Sequence, residues 1–175
     1  MDDYFYPYAE HRFGTLDMET FRLNPMGFSY PDSLGPWRRN NVNLLIKQMY
    51  DSVKAIKPVV KVGMSPFGIW KNGVPAGTSG TSGYNDLYCD AVAWLSGKYI
   101  DYITPQLYWR FGGGQDYAKL QPWWASVTYG RHLYTGNYAP LGPTEIGAQI
   151  TFNRATGAQG ATLFSARTIS SNSGG

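Results

Sequence analysis

Apolar residues recur at helical spacing in the segment that follows Pro36. They fall on one face of a helix, and they are Val42, Leu45, Ile46, Met49, Val53 and Ile56. Lys54 and Lys57 occupy the expected last turn, where the helix dipole favours cations, and Pro58 cannot continue a helix. The pattern therefore predicts an amphipathic helix that begins near Pro36 and stops at Pro58.

Short runs rich in β-branched and aromatic residues alternate with further helical stretches. The runs predicted as strands are residues 59–64, 99–109, 131–136 and 160–166. Three helices are predicted between them. The first has the apolar stripe Tyr88, Ala91, Val92 and Leu95 and ends at Gly97, and the second carries Leu120, Trp124 and Val127 and restarts at Pro122. The third covers residues 144–157 and ends at Gly157. If residues 2–5 end an earlier strand, the chain has five strands and four intervening helices.

This alternation is the order of parallel βαβ units, so the sequence predicts an α/β fold. No Gly-x-Gly-x-x-Gly motif or phosphate-binding loop follows a predicted strand, which disfavours a nucleotide-binding doubly wound sheet. A (β/α)8-type barrel is the preferred architecture. The chain has 175 residues, which is fewer than the roughly 250 residues of a complete barrel.

Composition narrows the classes of function. Fifteen Lys and Arg residues against 12 Asp and Glu residues leave a net charge of +3 without a basic run, which argues against nucleic acid as a partner. No apolar run is long enough for membrane insertion. The chain has 14 Tyr, 8 Phe and 6 Trp residues, and several lie in predicted loops. Flat amphipathic rings in loops suit carbohydrate or other neutral polar ligands.

Redox and metal chemistry are not predicted. Cys89 is the single cysteine, so no internal disulfide forms, and its place in a predicted helix favours a buried, inert thiol. No group of His, Cys and carboxylate residues has the spacing of metal ligands. The sequence therefore predicts neither a metal site nor a cofactor.

Candidate site residues collect at the predicted strand ends. In a parallel barrel the active face is built from the carboxyl ends of the strands and the loops after them. The residues placed there are Asp2, Asp3, Tyr4, Tyr6, Ser65, Phe67, Trp70, Gln106, Tyr108, Trp109, Arg110, Asn137, Tyr138 and Ser165. Glu10 and His11 lie in the loop after the first of these strand ends.

Five stretches of the chain resemble one family. In chain order they read DDYFYPY, WRRNNVN, SPFGIWKN, YIDYITPQLYW and FSA. Together they resemble the glycosyl-hydrolase-like family 10, a group of bacterial proteins with a (β/α)8-barrel catalytic domain. The resemblance implies that DDYFYPY ends the fourth strand of that barrel, and that the later motifs end strands five, six and eight.

The resemblance also implies that the family's first three strands, and most of its fourth, have no counterpart in this chain. Residues 1–175 are then expected to form a single partial barrel domain of about strands 4 to 8, with an unpaired sheet edge. Another segment, a partner or self-association through that edge is expected to complete the sheet.

Glycoside hydrolysis needs one carboxyl group to protonate the leaving oxygen and a second to attack or to activate water. Asp2 and Asp3 are adjacent in a predicted strand, so at most one faces the barrel mouth. Asp2 is preferred because it shares a face with Tyr4 and Tyr6. Glu145 is the candidate partner, and the alternative interpretation is that this acid only complements the dipole at a helix start.

Substrate contacts are predicted for residues around these carboxylates. The set comprises Tyr4, Tyr6, Arg38, Arg39, Ser65, Trp70, Gln106, Tyr108 and Trp109. The Trp rings and Tyr108 suit stacking on sugar rings or packing within the fold, and the Gln106 amide suits a hydroxyl group. Arg38 and Arg39 lie in the first turn of a helix, where a cation is disfavoured, so each is expected to pair with a carboxylate or to bind a substrate oxygen.

The resemblance therefore implies a glycoside hydrolase that acts on a cell-envelope or extracellular polysaccharide, with peptidoglycan glycan strands among the candidates. It also implies a location in the envelope or outside the cell. Two alternatives are a catalytically inactive carbohydrate-binding domain and a structural or oligomerising domain. A second carboxylate across an open cleft from Asp2 favours hydrolysis, whereas pairing of the sheet edge with another copy favours the structural interpretation.

Overall fold

Seven α-helices, one 3-10 helix and four strands make up the part of the chain that the computed structural model describes, which comprises residues 1–2, 5–8 and 16–171. In chain order these elements are α1 (Met18–Leu23), α2 (Leu34–Ile56), β1 (Gly63–Met64), α3 (Gly83–Asp86), α4 (Ala91–Ser96), β2 (Tyr102–Ile103), α5 (Tyr117–Ser126), β3 (His132–Tyr138), the 3-10 helix (Ala139–Leu141), α6 (Pro143–Ala155), β4 (Gly160–Phe164) and α7 (Ala166–Ser171). The candidates Asp3, Tyr4, Glu10 and His11 lie outside the described residues.

The four strands form one parallel sheet in the order β1-β2-β3-β4. The first residues of the chain continue this sheet beyond β1. The Ser65 N–H donates to the Met1 carbonyl over 2.7 Å, the Met1 amino group donates to the Gly63 carbonyl over 3.1 Å, and Asp2 bridges Ser65 in parallel. The predicted α/β class is confirmed, and the parallel sheet is compatible with a partial (β/α)8 barrel.

Two of the predicted strands are much shorter than their hydrophobic runs. Val59 is 83% exposed, because the chain turns directly after α2 and the Val60 N–H donates to the Lys57 carbonyl over 3.0 Å. The prediction of a buried strand from Val59 is therefore wrong for its first half. Lys61, between the two flanking valines of that run, is exposed as well.

Prolines limit the first two strands at their carboxyl ends. Pro66 follows β1 and Pro105 follows β2 within two residues, and a proline has no N–H to donate to a ladder. Pairing resumes one residue later, where Gln106 bridges both Phe67 and Gly136 in parallel. The run predicted as one strand over residues 99–109 is thus a two-residue strand and an isolated bridge.

The helices follow the sequence pattern more closely. Helix α2 covers the predicted segment, and Gly97 and Gly157 follow the ends of α4 and α6, with Gly157 at a φ of 92°. The expectation that Pro122 restarts a helix is wrong, since α5 begins at Tyr117 and holds Pro122 in its interior. The reason is the Asp116 side chain, which accepts a hydrogen bond from the Ala118 N–H over 2.9 Å and caps the helix five residues earlier.

The hydrophobic core lies between the sheet and its helices. It is a cluster of buried side chains that includes Ile46 from α2, Trp94 from α4, Ile103 from β2, Trp124 from α5 and Leu133 from β3. Cys89 belongs to this cluster and is 1% exposed. No helix in the described part of the chain has both the length and the hydropathy of a membrane span.

On the opposite face of the sheet, glycines lie beside tyrosines of the neighbouring strands. The rings of Tyr102 and Tyr134 meet edge to face, with their centroids 5.5 Å apart. A Cβ atom on Gly63 would lie 2.1 Å from the Tyr102 ring, and one on Gly160 would lie 2.9 Å from the Tyr134 ring. The two glycines therefore leave room for the two rings on this face.

Replacing Gly63 with alanine is expected to lower the free energy of unfolding by about 2 kcal/mol, because the added methyl group overlaps the Tyr102 ring. The matched control is Gly147→Ala in α6, where a Cβ meets no atom within 4 Å and alanine is expected to stabilise the helix by about 0.5 to 1 kcal/mol. Urea denaturation of both variants measures the difference. Equal stability of the two would contradict this account of the Gly63 packing.

Candidate active site

A cleft of about 420 Å³ opens on the glycine and tyrosine face of the sheet, near the carboxyl ends of its strands. Its lining comprises Asp2, Ser65, Thr104, Gln106, Tyr108, Gly136, Thr162, Leu163 and Phe164. Thr104, Gln106 and Tyr108 are two residues apart along the extended segment that follows β2, so their side chains fall on one face. This is the position at which parallel α/β folds place their binding sites.

Asp2 contributes the carboxylate of this cleft. The Gln106 Nε2 group donates to Asp2 Oδ1 over 3.2 Å and to the Ser65 carbonyl over 3.1 Å. Gln106 is buried, whereas Asp2 is exposed. The amide thus fixes the direction of a carboxylate that solvent and ligands can still reach. The predicted substrate contacts Ser65, Gln106 and Tyr108 all line the same cleft.

Glu145 lies outside the lining of this cleft. Its Oε1 atom accepts hydrogen bonds from the Phe111 N–H over 3.1 Å and from Gln149 Nε2 over 3.2 Å. Its Oε2 atom is 3.5 Å from Arg110 Nη1. These contacts hold the loop after β2 against the first turn of α6. Within the described residues, Asp2 is the one acidic side chain that lines the cleft.

Arg38 of α2 pairs with the carboxylate of Asp17, the residue that precedes α1. Its guanidinium donates to the two Asp17 carboxylate oxygens over 2.7 and 2.5 Å and to the Tyr88 hydroxyl over 2.9 Å. These hydrogen bonds to Asp17 are the main cause of the raised pKa of Arg38. Tyr6 packs edge to face on Tyr88 with centroids 5.1 Å apart, and burial raises the pKa of the Tyr6 phenol. Arg38 and Tyr6 therefore lie in a packed, hydrogen-bonded cluster away from the cleft lining.

Trp70 and Arg39 belong to a stack of rings and cations outside the cleft. The Arg39 guanidinium lies 4.0 Å from the centroid of the Tyr84 ring, and Lys71 Nζ lies 3.7 Å from the same centroid and 4.1 Å from that of Trp70. Trp70 in turn stacks on Trp123, with centroids 5.7 Å apart. The arrangement secures the loop after β1 to the helices α2 and α5.

Trp109 also packs within the fold. Its ring meets Phe67 edge to face at 5.7 Å, and its carbonyl accepts a hydrogen bond from Gln149 Nε2 over 2.9 Å. Gly68 allows this approach, since a Cβ there would lie 2.6 Å from the Trp109 ring. Of the three rings predicted to stack on sugars, the structure places Tyr108 in the cleft and the two tryptophans elsewhere.

Phe164 lines the cleft although it is not among the site residues predicted from the sequence. Its ring stacks on Tyr108 with centroids 5.5 Å apart and an interplanar angle of 24°. The ring of Tyr138 lies 5.6 Å from Tyr108. The signal was present in the sequence, because Phe164 alternates with Thr162 along the last strand and directly precedes the predicted site residue Ser165.

Asn137 was expected at the barrel mouth, and the structure places it in the interior beneath α6. It belongs to a buried polar network that comprises Tyr117, Thr135, Asn137, Gln149 and Asn153. The Asn137 amide donates to the Tyr117 hydroxyl over 3.0 Å and to Gln149 Oε1 over 2.8 Å, and it accepts from Thr135 Oγ1 over 2.7 Å. The expectation is corrected because residues 133, 135 and 137 of β3 all face the helices.

A larger groove of about 1,000 Å³ lies between α6, β4 and α7. Its side chains are mostly apolar and include Ile146, Ile150, Leu163 and Ile169. No acidic residue of the described chain lines it, so it has no group for acid–base chemistry. The smaller cleft that holds Asp2 is therefore the candidate active site.

Barrel-type enzymes have their active sites at the carboxyl ends of parallel strands, where this cleft and its carboxylate lie. The sequence matches the family Glycosyl hydrolase-like 10 over residues 1–150. The chain belongs to this family, and the resemblance found in its motifs is confirmed.

Two curated relatives agree with this assignment. The chain is 40% identical over 172 residues to Glycosyl hydrolase YngK of Bacillus subtilis (strain 168), and the match covers 88% of the chain and 33% of that protein. It is 40% identical over 132 residues to Glycosyl hydrolase DigH of Escherichia coli (strain K12), and the match covers 72% of the chain and 29% of that protein. The chain thus spans about a third of the length of these relatives.

Proposed function

We propose that this chain forms part of the catalytic domain of a glycoside hydrolase that acts on a cell-envelope or extracellular polysaccharide. The observation that carries the proposal is the Asp2 carboxylate, which the Gln106 amide directs into the cleft of a glycosyl hydrolase-like chain. In this proposal Met1 and Asp2 end barrel strand four, and β1 to β4 are strands five to eight. Peptidoglycan glycan strands are the first substrate to test, and the site of action is the envelope or the outside of the cell.

Asp2 acts in this proposal as one of the two carboxyl groups that glycoside hydrolysis requires. The second group must lie about 5 Å away for retention of configuration, or about 6.5 to 9.5 Å away for inversion. The contacts of Glu145 favour a role in holding a loop and a helix together. We therefore assign the second carboxylate to a further segment that faces the cleft.

Substrate contacts are assigned to the residues that line the cleft. Ser65, Gln106 and Tyr108 offer a hydroxyl, an amide and a ring on the same surface as Asp2. Arg38, Arg39, Tyr6, Trp70 and Trp109 are assigned to packing, since their hydrogen bonds and ring contacts join elements of the fold. No cofactor is required for this chemistry.

One observation favours a second candidate function. In the described part of the chain, the cleft holds a single carboxylate, which suffices to bind a sugar hydroxyl but not for the two-carboxylate mechanism. The alternative is a carbohydrate-binding domain without catalysis. Self-association through the sheet edge that Met1 and Asp2 form beyond β1 would instead supply further strands and a structural role.

Replacing Asp2 with asparagine is expected to reduce hydrolysis about 100-fold, because the amide can neither transfer a proton nor attack the sugar. Release of reducing ends from purified peptidoglycan glycan strands and from common polysaccharides measures the rate. The chain should be assayed by itself and within a protein of the length of its relatives.

The matched control is Asp51→Asn, which removes an exposed carboxylate from α2 that pairs with Lys47. Its activity should equal that of the unchanged protein. Hydrolysis that survives Asp2→Asn would remove Asp2 from the mechanism. Binding of polysaccharide without hydrolysis in either length of protein would support the carbohydrate-binding alternative.

A further inference from the structure

Three aromatic rings meet at the carboxyl ends of three neighbouring strand segments. Tyr108 follows β2, Tyr138 ends β3 and Phe164 ends β4. The Tyr108 ring is in contact with both of the others, at centroid distances of 5.6 Å to Tyr138 and 5.5 Å to Phe164. The three rings form one continuous surface, which is here called the ring platform.

The ring platform is open to solvent. Phe164 is 54% exposed and Tyr138 is 36% exposed, although each packs against Tyr108. Two of its members, Tyr108 and Phe164, also line the cleft that holds Asp2. Exposed aromatic surface at the rim of a polar cleft is a mark of ligand binding, because folding by itself would favour covering these rings.

The polar groups beside the ring platform are almost all uncharged. The cleft lining adds the hydroxyls of Ser65, Thr104 and Thr162 and the amide of Gln106, together with the Asp2 carboxylate. No lysine or arginine in the described part of the chain lines the cleft. Arg110 follows Tyr108 closely in sequence, but its guanidinium contacts Glu145 and donates to the Leu141 carbonyl over 3.1 Å.

We propose that the ring platform is a stacking subsite for an uncharged sugar ring, bound by its apolar face to Tyr108, Tyr138 and Phe164. The inference rests on the proposed function and specifies its substrate. A sugar that carries a carboxylate is disfavoured here, since it would meet Asp2 without a compensating cation. In a peptidoglycan glycan strand without stem peptides, where each lactyl group ends in a free carboxylate, the unit bound at this subsite is therefore N-acetylglucosamine rather than its lactyl-bearing neighbour.

The Asp2 carboxylate and the ring platform have separable functions in this proposal. The rings bind the sugar in the ground state and in the transition state alike, whereas the carboxylate acts on the bond to be broken. Variants of the platform are expected to weaken binding, and Asp2→Asn is expected to leave binding largely intact while it lowers the hydrolysis rate.

Isothermal titration calorimetry with chitin hexasaccharide, which is uncharged, and with an oligogalacturonide of matched length, which is anionic, tests the subsite. The unchanged protein should bind the chitin oligosaccharide more tightly. Phe164→Leu, which keeps an apolar side chain but removes the ring, and Tyr138→Ala should each weaken this binding about three- to tenfold. Phe164→Trp should retain it.

The matched control is Tyr129→Asn at the amino end of β3. Tyr129 is an exposed tyrosine with a φ of 50°, a conformation that asparagine tolerates well. This variant should bind the chitin oligosaccharide like the unchanged protein, and thermal unfolding should show that every variant is folded.

The outcomes separate the subsite from the hydrolase. Unchanged affinity in Phe164→Leu and Tyr138→Ala, tighter binding of the anionic oligosaccharide, or absence of binding to the chitin oligosaccharide would each overturn the subsite, even if Asp2→Asn abolishes hydrolysis. If binding depends on the ring platform but the protein hydrolyses no polysaccharide, the proposed stacking subsite is kept and the proposed hydrolase function is rejected.

Discussion

Replacing Arg38 with alanine is expected to lower the free energy of unfolding by about 3 kcal/mol. The substitution leaves the Asp17 carboxylate and the Tyr88 hydroxyl without the guanidinium that they contact over 2.5 to 2.9 Å. The Arg38 side chain is 8% exposed and that of Asp17 is 26% exposed. Because water can partly replace the lost partner of Asp17, the expected cost lies at the lower end of the range for broken buried pairs.

Urea denaturation measures this loss, and Arg22→Ala is the matched control. Arg22 pairs with Glu19 on the surface of α1, where the two side chains are 54% and 63% exposed, so its removal should leave the urea midpoint close to that of the unchanged protein. A similarly small loss for Arg38→Ala would contradict a structural pair. It would also return Arg38 to the candidates for substrate binding.

Replacing Asn137 with alanine is expected to destabilise the fold by a similar amount, about 3 kcal/mol. Asn137 makes three hydrogen bonds inside the protein, and the side chains of Tyr117, Thr135 and Gln149 would each lose a partner. Burial raises the pKa of the Tyr117 phenol, so the phenol stays protonated and its buried hydroxyl still needs a hydrogen-bond partner. The cost arises from buried polar groups that the smaller side chain leaves unsatisfied.

The control for this variant is Gln48→Ala, which removes an exposed amide from α2 and should change stability by less than about 0.5 kcal/mol. Both variants can be compared by urea denaturation with the slope of the transition as a check on the unfolded state. A loss below about 1 kcal/mol for Asn137→Ala would mean that water replaces the amide in the network.

The helices were the most predictable part of the fold. The apolar stripe of α2 runs through four turns, and the observed helix begins within two residues of the predicted start at Pro36 and ends two residues before Pro58. A long periodic pattern predicts a helix well because each apolar position supports the same assignment. The start of α5 was missed because it depends on a single cap by Asp116 rather than on periodicity.

The strands were less predictable in length than in order. Hydrophobic runs gave the correct sequence of strands, but β1 and β2 have two residues each. Prolines at positions 66 and 105 interrupt their ladders. The extent of pairing depends on which N–H groups find a carbonyl on a neighbouring strand, and that depends on register rather than on local composition.

Alternation along a strand decided which of the predicted site residues line the cleft. Asp2, Gln106 and Tyr108 reach the cleft as their spacing suggested. Asn137 does not, because β3 extends to Tyr138 and turns residue 137 toward α6. The partner of Arg38 is 21 residues away in sequence, so no local pattern could have distinguished a structural pair from a contact with substrate.

The burial of Cys89 has a practical consequence for chemical labelling. It is the single cysteine of the chain and is 1% exposed within the core. Maleimide reagents require an accessible thiolate, so the folded chain shields its natural thiol from them. A cysteine introduced at an exposed position such as Tyr129 or Ile169 would then carry a fluorophore or spin label selectively, without prior removal of Cys89 from the core.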